Sequence, residues 1–244
     1  MPPRIVKALH ERNVQREKRT LQRIYAKYGD LTTQQVFTKI YEEGEWGKSP
    51  DRSQKYFSGL GSREEVVVAT YIDAVSKFLS SFERKPDVVD LGCGDFYVGS
   101  NLRRLCAGYT ACDIVQPLID MNKEKYKMLD VDFRVLDLTV DELPPADVVF
   151  LRQVLQHLSN EQVKNALQKV TSNYKYLILT EHLPGSDDFV HNVDKPAGPT
   201  TRLRGNSGVV LTSPPFNLAP KAQKVLCQVS VASTLIRTTL YCFA

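Results

Sequence analysis

Short apolar runs alternate with stretches of helical spacing through the middle of this chain. Val88–Leu91, Tyr109–Asp113, Asp132–Leu136, Asp147–Leu151 and Tyr176–Thr180 are four or five residues long and bounded by polar or turn residues, the pattern of buried strands. Between them, apolar spacing predicts helices near Glu64–Phe82, ending before Pro86, at Val98–Leu105, from Gln116-Pro117 onward, where proline suits a first turn, and at Asn160–Val170. Strands separated by helices predict a parallel sheet with right-handed crossovers. Two later β-rich runs, Val225–Val231 and Leu235–Phe243, joined at Ala232-Ser233-Thr234, predict a hairpin that adds an antiparallel strand.

The pattern divides the chain into zones. Residues 1–62 are helical and then turn-rich, a basic arm followed by a cap or lid. Residues 63–244 form the main domain, within which 182–223 is a long irregular insertion rich in Gly, Pro, Asn and Asp. Loops of that length are uncommon unless functional, which points to the substrate side.

With 244 residues, 42% hydrophobic and 25% charged, the chain can bury one large core. Its longest apolar runs are far shorter than the ~20 residues that cross a bilayer, and Met1–Lys7 lacks a signal-peptide core. Five cysteines without a Cys-x-x-Cys pair or zinc spacing read as reduced thiols, so a cytoplasmic protein is expected. The net charge of +4 is uneven: Arg12, Arg16, Lys18, Arg19 and Arg23 crowd the N-terminal arm. That arm could touch RNA, or its apolar residues Leu9, Leu21, Ile24, Tyr25 and Tyr28 could pack a helix on the body with its basic face in solvent.

Val88-Val89-Asp90-Leu91-Gly92-Cys93-Gly94 ends an apolar run in a carboxylate and two close glycines. At a strand-to-helix turn, glycine tolerates positive φ and lets backbone approach a ligand. A dinucleotide fingerprint needs a small residue three positions after Gly94, where Tyr97 stands, so NAD and FAD are disfavoured. Asp90 suits an α-ammonium, Asp113 two ribose hydroxyls, and Asp137 an adenine amino group with Leu138 packed on the ring. Ammonium, ribose and adenine are parts of S-adenosyl-L-methionine.

On these residues, and on the fourth-strand segment Ala146–Leu151, residues 63–181 resemble the class I S-adenosylmethionine-dependent methyltransferases. The resemblance implies an α/β Rossmann-like three-layer sandwich: a mostly parallel seven-stranded sheet with an antiparallel C-terminal hairpin strand, here with an N-terminal helical cap. It implies a cofactor surrounded by Asp90, Gly92, Gly94, Asp113 and Asp137; Ile114 and Leu138 are further candidate cofactor contacts, and Gln153 could hydrogen-bond the cofactor's methionine end or the substrate. Where many members carry a third glycine this chain has Phe96, which either covers the methionine portion or fills a gap between helix and sheet. Trp46 and Tyr41 could cover the sulfonium, and the turn Ser58-Gly59-Leu60-Gly61-Ser62 could offer N–H groups to the methionine carboxylate. The alternative is an aromatic anchor for the N-terminal helix.

Methyl transfer from a sulfonium is an in-line displacement, so positioning and shielding carry much of the catalysis. A hydroxyl acceptor must also lose a proton, and His157, Glu181 and His182 are candidate bases near strand ends. A helical turn would put Gln153 and His157 on one face; His157 could equally only pack that turn. Asp187, Asp188, His191, Asn192 and Asp194 lack a defined metal-ligand spacing and read as a solvated polar loop. No Asn-Pro-Pro-Tyr-like segment follows the fourth strand, where Leu151-Arg152-Gln153-Val154 stands, which disfavours planar nitrogen acceptors by that route. The expected function is methyl transfer to a small polar acceptor, a hydroxyl slightly ahead of an amine. An RNA methyltransferase using the basic arm and a non-catalytic cofactor-binding module are the alternatives.

Overall fold

The computed structural model describes residues 19–51, 54–59, 61–186 and 188–243. Most of the basic arm (1–18), Leu60 of the glycine-serine turn and Asp187 therefore lie outside the described residues. Nine strands can be numbered: β1 Val88–Leu91, β2 Tyr109–Asp113, β3 Asp132–Val135, β4 Val148–Arg152, β5 Tyr176–Pro184, β6 Val190–His191, β7 Ser207–Gly208, β8 Ala222–Val231 and β9 Thr234–Cys242. Seven of them form one sheet in the order β3-β2-β1-β4-β5-β9-β8. The first five run parallel, and β9 is antiparallel to both β5 and β8.

The helices are α1 (residues 19–28), α2 Thr33–Glu43, α3 Glu65–Leu79, α4 Gly99–Leu102, α5 Gln116–Lys125 and α6 Asn160–Asn173. Local sequence sets their ends. Thr32 and Gln35 form a reciprocal capping box on α2, which stops at the left-handed Gly44; Ser159 and Gln162 repeat the box on α6. Pro117 sits in the first turn of α5.

Period-two alternation along the central strands divides the core between two faces. Val89, Leu91, Val149, Leu151, Leu177 and Leu179 pack against α1, α2, α5 and α6; Val88, Val148, Phe150 and Ile178 pack against α3 and α4. The result is the three-layer α/β sandwich expected from the sequence. Ile24 and Tyr28 of α1 are buried in the first of these cores, so the described part of the arm is a packed helix.

Four local expectations are revised. The helix expected over Val98–Leu105 is four α-helical residues and a 3-10 turn at Arg103–Leu105, because Arg103 reaches across to the carbonyls of Leu129 and Asp130. β5 does not stop at Thr180: β9 continues pairing with it to Pro184, so Glu181 and His182 lie within a strand and point to opposite faces. Gln153 has φ +58 and Leu155–His157 is a 3-10 turn, so no α-helical face joins Gln153 to His157. In the insertion Asp188, His191 and Asp194 are exposed, as expected, whereas Asn192 is buried, its amide donating to Val210 and Pro214 carbonyls at 2.9 Å, and Lys195, Arg202, Ser207, Val209 and Leu211 are buried with it.

Candidate active site

The carboxyl ends of β1, β2 and β4 open into a cavity of about 390 Å3, the crevice where open α/β sheets take ligands. Asp90, Gly92, Gly94, Asp113, Ile114, Asp137, Leu138 and Gln153 all line it, and the cap contributes Trp46 and Gly59. His157 and His182 are on its wall; Glu181 is not. Glu181 faces the interior on the other side of the strand, with both carboxylate oxygens unpartnered and burial pushing its pKa up to about 8.

The glycines have a reason beyond ligand approach. Gly92 and Gly94 have φ +77 and +56. A Cβ on Gly92 would meet Val154 Cγ2 at 2.5 Å, and one on Gly94 would meet the Ser58 hydroxyl at 2.4 Å. The turn is thus bare because protein, from the β4 side and from the cap, closes on it. Phe96 fills the gap between helix and sheet: it is fully buried, edge-on to Tyr109, Tyr126 and Phe133.

Two carboxylates at the turn are buried. Asp113 accepts the Gly94 and Val115 amides at 3.0 and 3.1 Å, and burial raises its pKa to about 6. Asp90 accepts the Tyr109 hydroxyl at 3.0 Å; burial raises it to about 7. Each retains lone pairs for a ligand. Asp137 folds back on its own turn, accepting the Thr139 amide at 2.8 Å and hydroxyl at 2.6 Å. Asp147, at the opposite end of β4, accepts the Asp87 amide at 3.0 Å and is structural.

The cap is joined to the glycine turn through Tyr41 and Ser58, which the sequence singled out, and through Gln54, Arg63 and Asp95, which it did not. Asp95 accepts from the Gln54 amide at 3.1 Å and pairs with Arg63 at 2.8 Å, while Tyr41 meets the Ser58 hydroxyl at 3.1 Å. Arg63 also lies 4.5 Å from the Tyr97 ring centroid. An acid directly after the second glycine was the available signal. Trp46 donates to the Pro199 carbonyl at 3.0 Å and stands edge-on to Tyr41 and 5.0 Å from the His157 ring, so cap and insertion meet over the cavity.

The histidines differ in their free atoms. His157 Nδ1 faces the Gly198 carbonyl at 3.2 Å and therefore carries the proton, leaving Nε2 to accept from the Gln156 amide at 3.3 Å. Burial lowers its pKa to about 3. Thr234 spends its hydroxyl proton on the Val231 carbonyl at 2.7 Å, so His182 Nε2, 2.6 Å away, must donate to it. His182 Nδ1 is then the unprotonated nitrogen, and burial holds the ring below the usual imidazole pKa. Behind the wall, Arg202 donates to the Leu155 and Leu158 carbonyls at 3.0 and 2.8 Å and fixes the turn that carries His157.

Residues 88–175 match a family described as a methyltransferase domain. No curated protein sequence matches the chain significantly. Among solved structures, the chain is similar to the N-methyltransferase NodS from Bradyrhizobium japonicum WM9 in complex with S-adenosyl-L-homocysteine, with a TM-score of 0.58 and 16% identity over 85% of this chain and 98% of that one. It is similar to magnesium protoporphyrin IX methyltransferase from Synechocystis PCC 6803 with bound SAH, with a TM-score of 0.56 and 14% identity over 87% and 100%. The N-terminal domain of EvdMO1, in the presence of SAH and D-fucose, gives a TM-score of 0.53 and 15% identity over 86% and 97%.

The methyltransferase-domain match covers residues 88–175, and the sheet order β3-β2-β1-β4-β5-β9-β8 gives the chain the Rossmann-like fold that these solved structures share. Among the described residues no helix is long and apolar enough to cross a membrane.

Proposed function

We propose that the protein methylates a small polar acceptor at a hydroxyl, with His182 as the base. S-adenosylmethionine supplies a methyl group already activated on a sulfonium. The residues present suit it: three carboxylates line one cavity and can accept from an ammonium, ribose hydroxyls and an adenine amino group, and the Gln153 side-chain oxygen is buried and unpartnered on the cavity wall. Asp90, Asp113 and Asp137 are assigned those contacts, with Ile114 and Leu138 on the adenine and Trp46 over the methyl-bearing end.

The observation that carries the hydroxyl reading is the free Nδ1 of His182, an uncharged base at neutral pH on the wall of the cavity. A hydroxyl needs such a proton acceptor, whereas a neutral amine can lose its proton after transfer. His157, with both nitrogens engaged, is assigned to holding the insertion against Trp46. Glu181 has no access to the cavity and is assigned a structural part beside Arg202. The five unbridged cysteines support a reducing, cytoplasmic setting. The packing of α1 favours a small acceptor over RNA.

A methyl-transfer assay across hydroxyl- and amine-bearing metabolite pools tests this reading. His182→Asn should lower kcat about 100-fold or more on a hydroxyl acceptor and leave S-adenosylhomocysteine affinity unchanged. Full turnover by the variant would remove His182 as base.

A further inference from the structure

A second, smaller cavity of about 40 Å3 lies between the start of α1 and the insertion. Lys195, Arg202 and Arg204 line it together with Asp194, Thr200 and Thr201, and Thr201 also lines the large cavity. A bound water needs about 10–15 Å3 of such space, so this one holds a few waters or one small ion.

Its three cations form no ion pair among the described residues. Arg202 is 4% exposed and spends its donors on neutral groups, the carbonyls of Val193, Leu155 and Leu158 and the Asn160 side chain, at 2.8 to 3.0 Å. Lys195 is 8% exposed, and its Nζ donates to the His157 carbonyl at 3.2 Å. Arg204 is exposed. Asp194 is the one acid among the described residues of this wall, and its Oδ1 is held by the amides of Asn160 and Lys195, each at 2.8 Å. Glu181, the other acid that acts on Arg202, is largely protonated at neutral pH, with a pKa of about 8. Two buried cations and one exposed cation against one acid leave an excess of positive charge, which is costly until an anion completes it. Burial, and then repulsion from Arg202, lower the Lys195 pKa to about 7; a bound anion would restore the charged amine.

We propose that this cavity is a binding site for a phosphate-type oxyanion, with Lys195 and Arg204 as its charged contacts and the Thr200 and Thr201 hydroxyls as further donors. A lysine ammonium has three protons, so two remain after the His157 carbonyl takes one. Arg202, its donors spent, contributes charge alone. The oxyanion has two sources, free phosphate or a phosphoryl group carried by the acceptor, because Thr201 stands on the walls of both cavities. Lys195 also holds the His157 carbonyl, so an occupied site ties the turn bearing His157 to the insertion. The site is separate from the cofactor contacts assigned above.

Calorimetry with inorganic phosphate, against a chloride control of equal ionic strength, tests the site. One phosphate should bind per chain. Lys195→Met should weaken it about tenfold or more, the scale of a lost charge-assisted contact, and Arg204→Ala, a change at an exposed position, about two- to fivefold. No binding above the chloride control, or equal affinity in the wild type and both variants, would overturn the proposal. Methyl transfer to a metabolite pool before and after phosphatase treatment, with released phosphate removed, separates the two sources. Loss of turnover after treatment, with inorganic phosphate competing against the acceptor, assigns the oxyanion to the acceptor; retained turnover assigns it to free phosphate.

Discussion

Ser58 and Asp95 hydrogen-bond each other twice: the Asp95 amide donates to the Ser58 hydroxyl at 2.9 Å, and the Ser58 amide donates to the Asp95 carboxylate at 3.2 Å. This reciprocal pair fastens the cap to the turn after β1, and Arg63 completes it from the cap side. Asp95→Ala strands the half-buried Arg63 charge and should cost about 3 kcal/mol, read as a lower denaturation midpoint with an unchanged m-value. Asp95→Asn, which keeps an acceptor, should cost less.

Gly94→Ala attacks the same junction from the other side. It forces a side chain into φ +56, worth about 1–2 kcal/mol, and pushes its methyl into the Ser58 hydroxyl 2.4 Å away. Ser58→Gly in the Gly94→Ala background should recover the part due to the clash and not the part due to φ. Strict additivity of the two substitutions in a denaturation cycle would show that the contact carries no energy.

Much of this was legible in the sequence because it depends on local pattern. The strand Val88–Leu91 and the strand Tyr109–Asp113 have the bounds read from their apolar runs, and the acids at their ends line the cavity. What escaped depends on partners distant in the chain. β5 looked five residues long because its extension to Pro184 is dictated by β9 some fifty residues later. Glu181 looked like a site residue until strand pairing turned it away. Asp95 is adjacent to the glycine motif, yet its importance comes from Ser58 and Arg63, which sequence spacing alone does not bring near.

Burial of two acids makes stability and affinity respond to pH in opposite senses. Asp90 near 7 and Asp113 near 6 hold protons in the folded protein that an unfolded chain releases near 4. Their contribution is fully present below about pH 4 and is lost as pH rises through about 6 to 7. Ligand-free protein should therefore lose this stabilisation across that window, and Asp90→Asn should flatten the dependence. An ammonium ligand favours ionised Asp90, so S-adenosylhomocysteine affinity should increase over the same window, with proton release on binding. Calorimetry in buffers of different ionisation enthalpy measures that release; proton uptake would contradict the ammonium assignment.

Trp46 offers an optical reading of the cavity, since it is the single tryptophan of the chain and lies on the cavity wall between Tyr41 and His157. Titration with S-adenosylhomocysteine should change its emission saturably, and Trp46→Phe should abolish the signal. Because that variant also loses the donor to the Pro199 carbonyl, amides near residue 198 should exchange faster. Emission indifferent to bound ligand would place the occupant away from Trp46.

The most direct test of the central claim is a calorimetric titration of folded protein with S-adenosylhomocysteine, repeated with Asp113→Ala. One ligand should bind per chain, and the variant, still folded, should bind about tenfold more weakly because a carboxylate contact to the ribose hydroxyls is gone. An absence of binding by well-folded wild-type protein, or equal affinity in the variant, would contradict the account of the cavity at the end of β1 and β2.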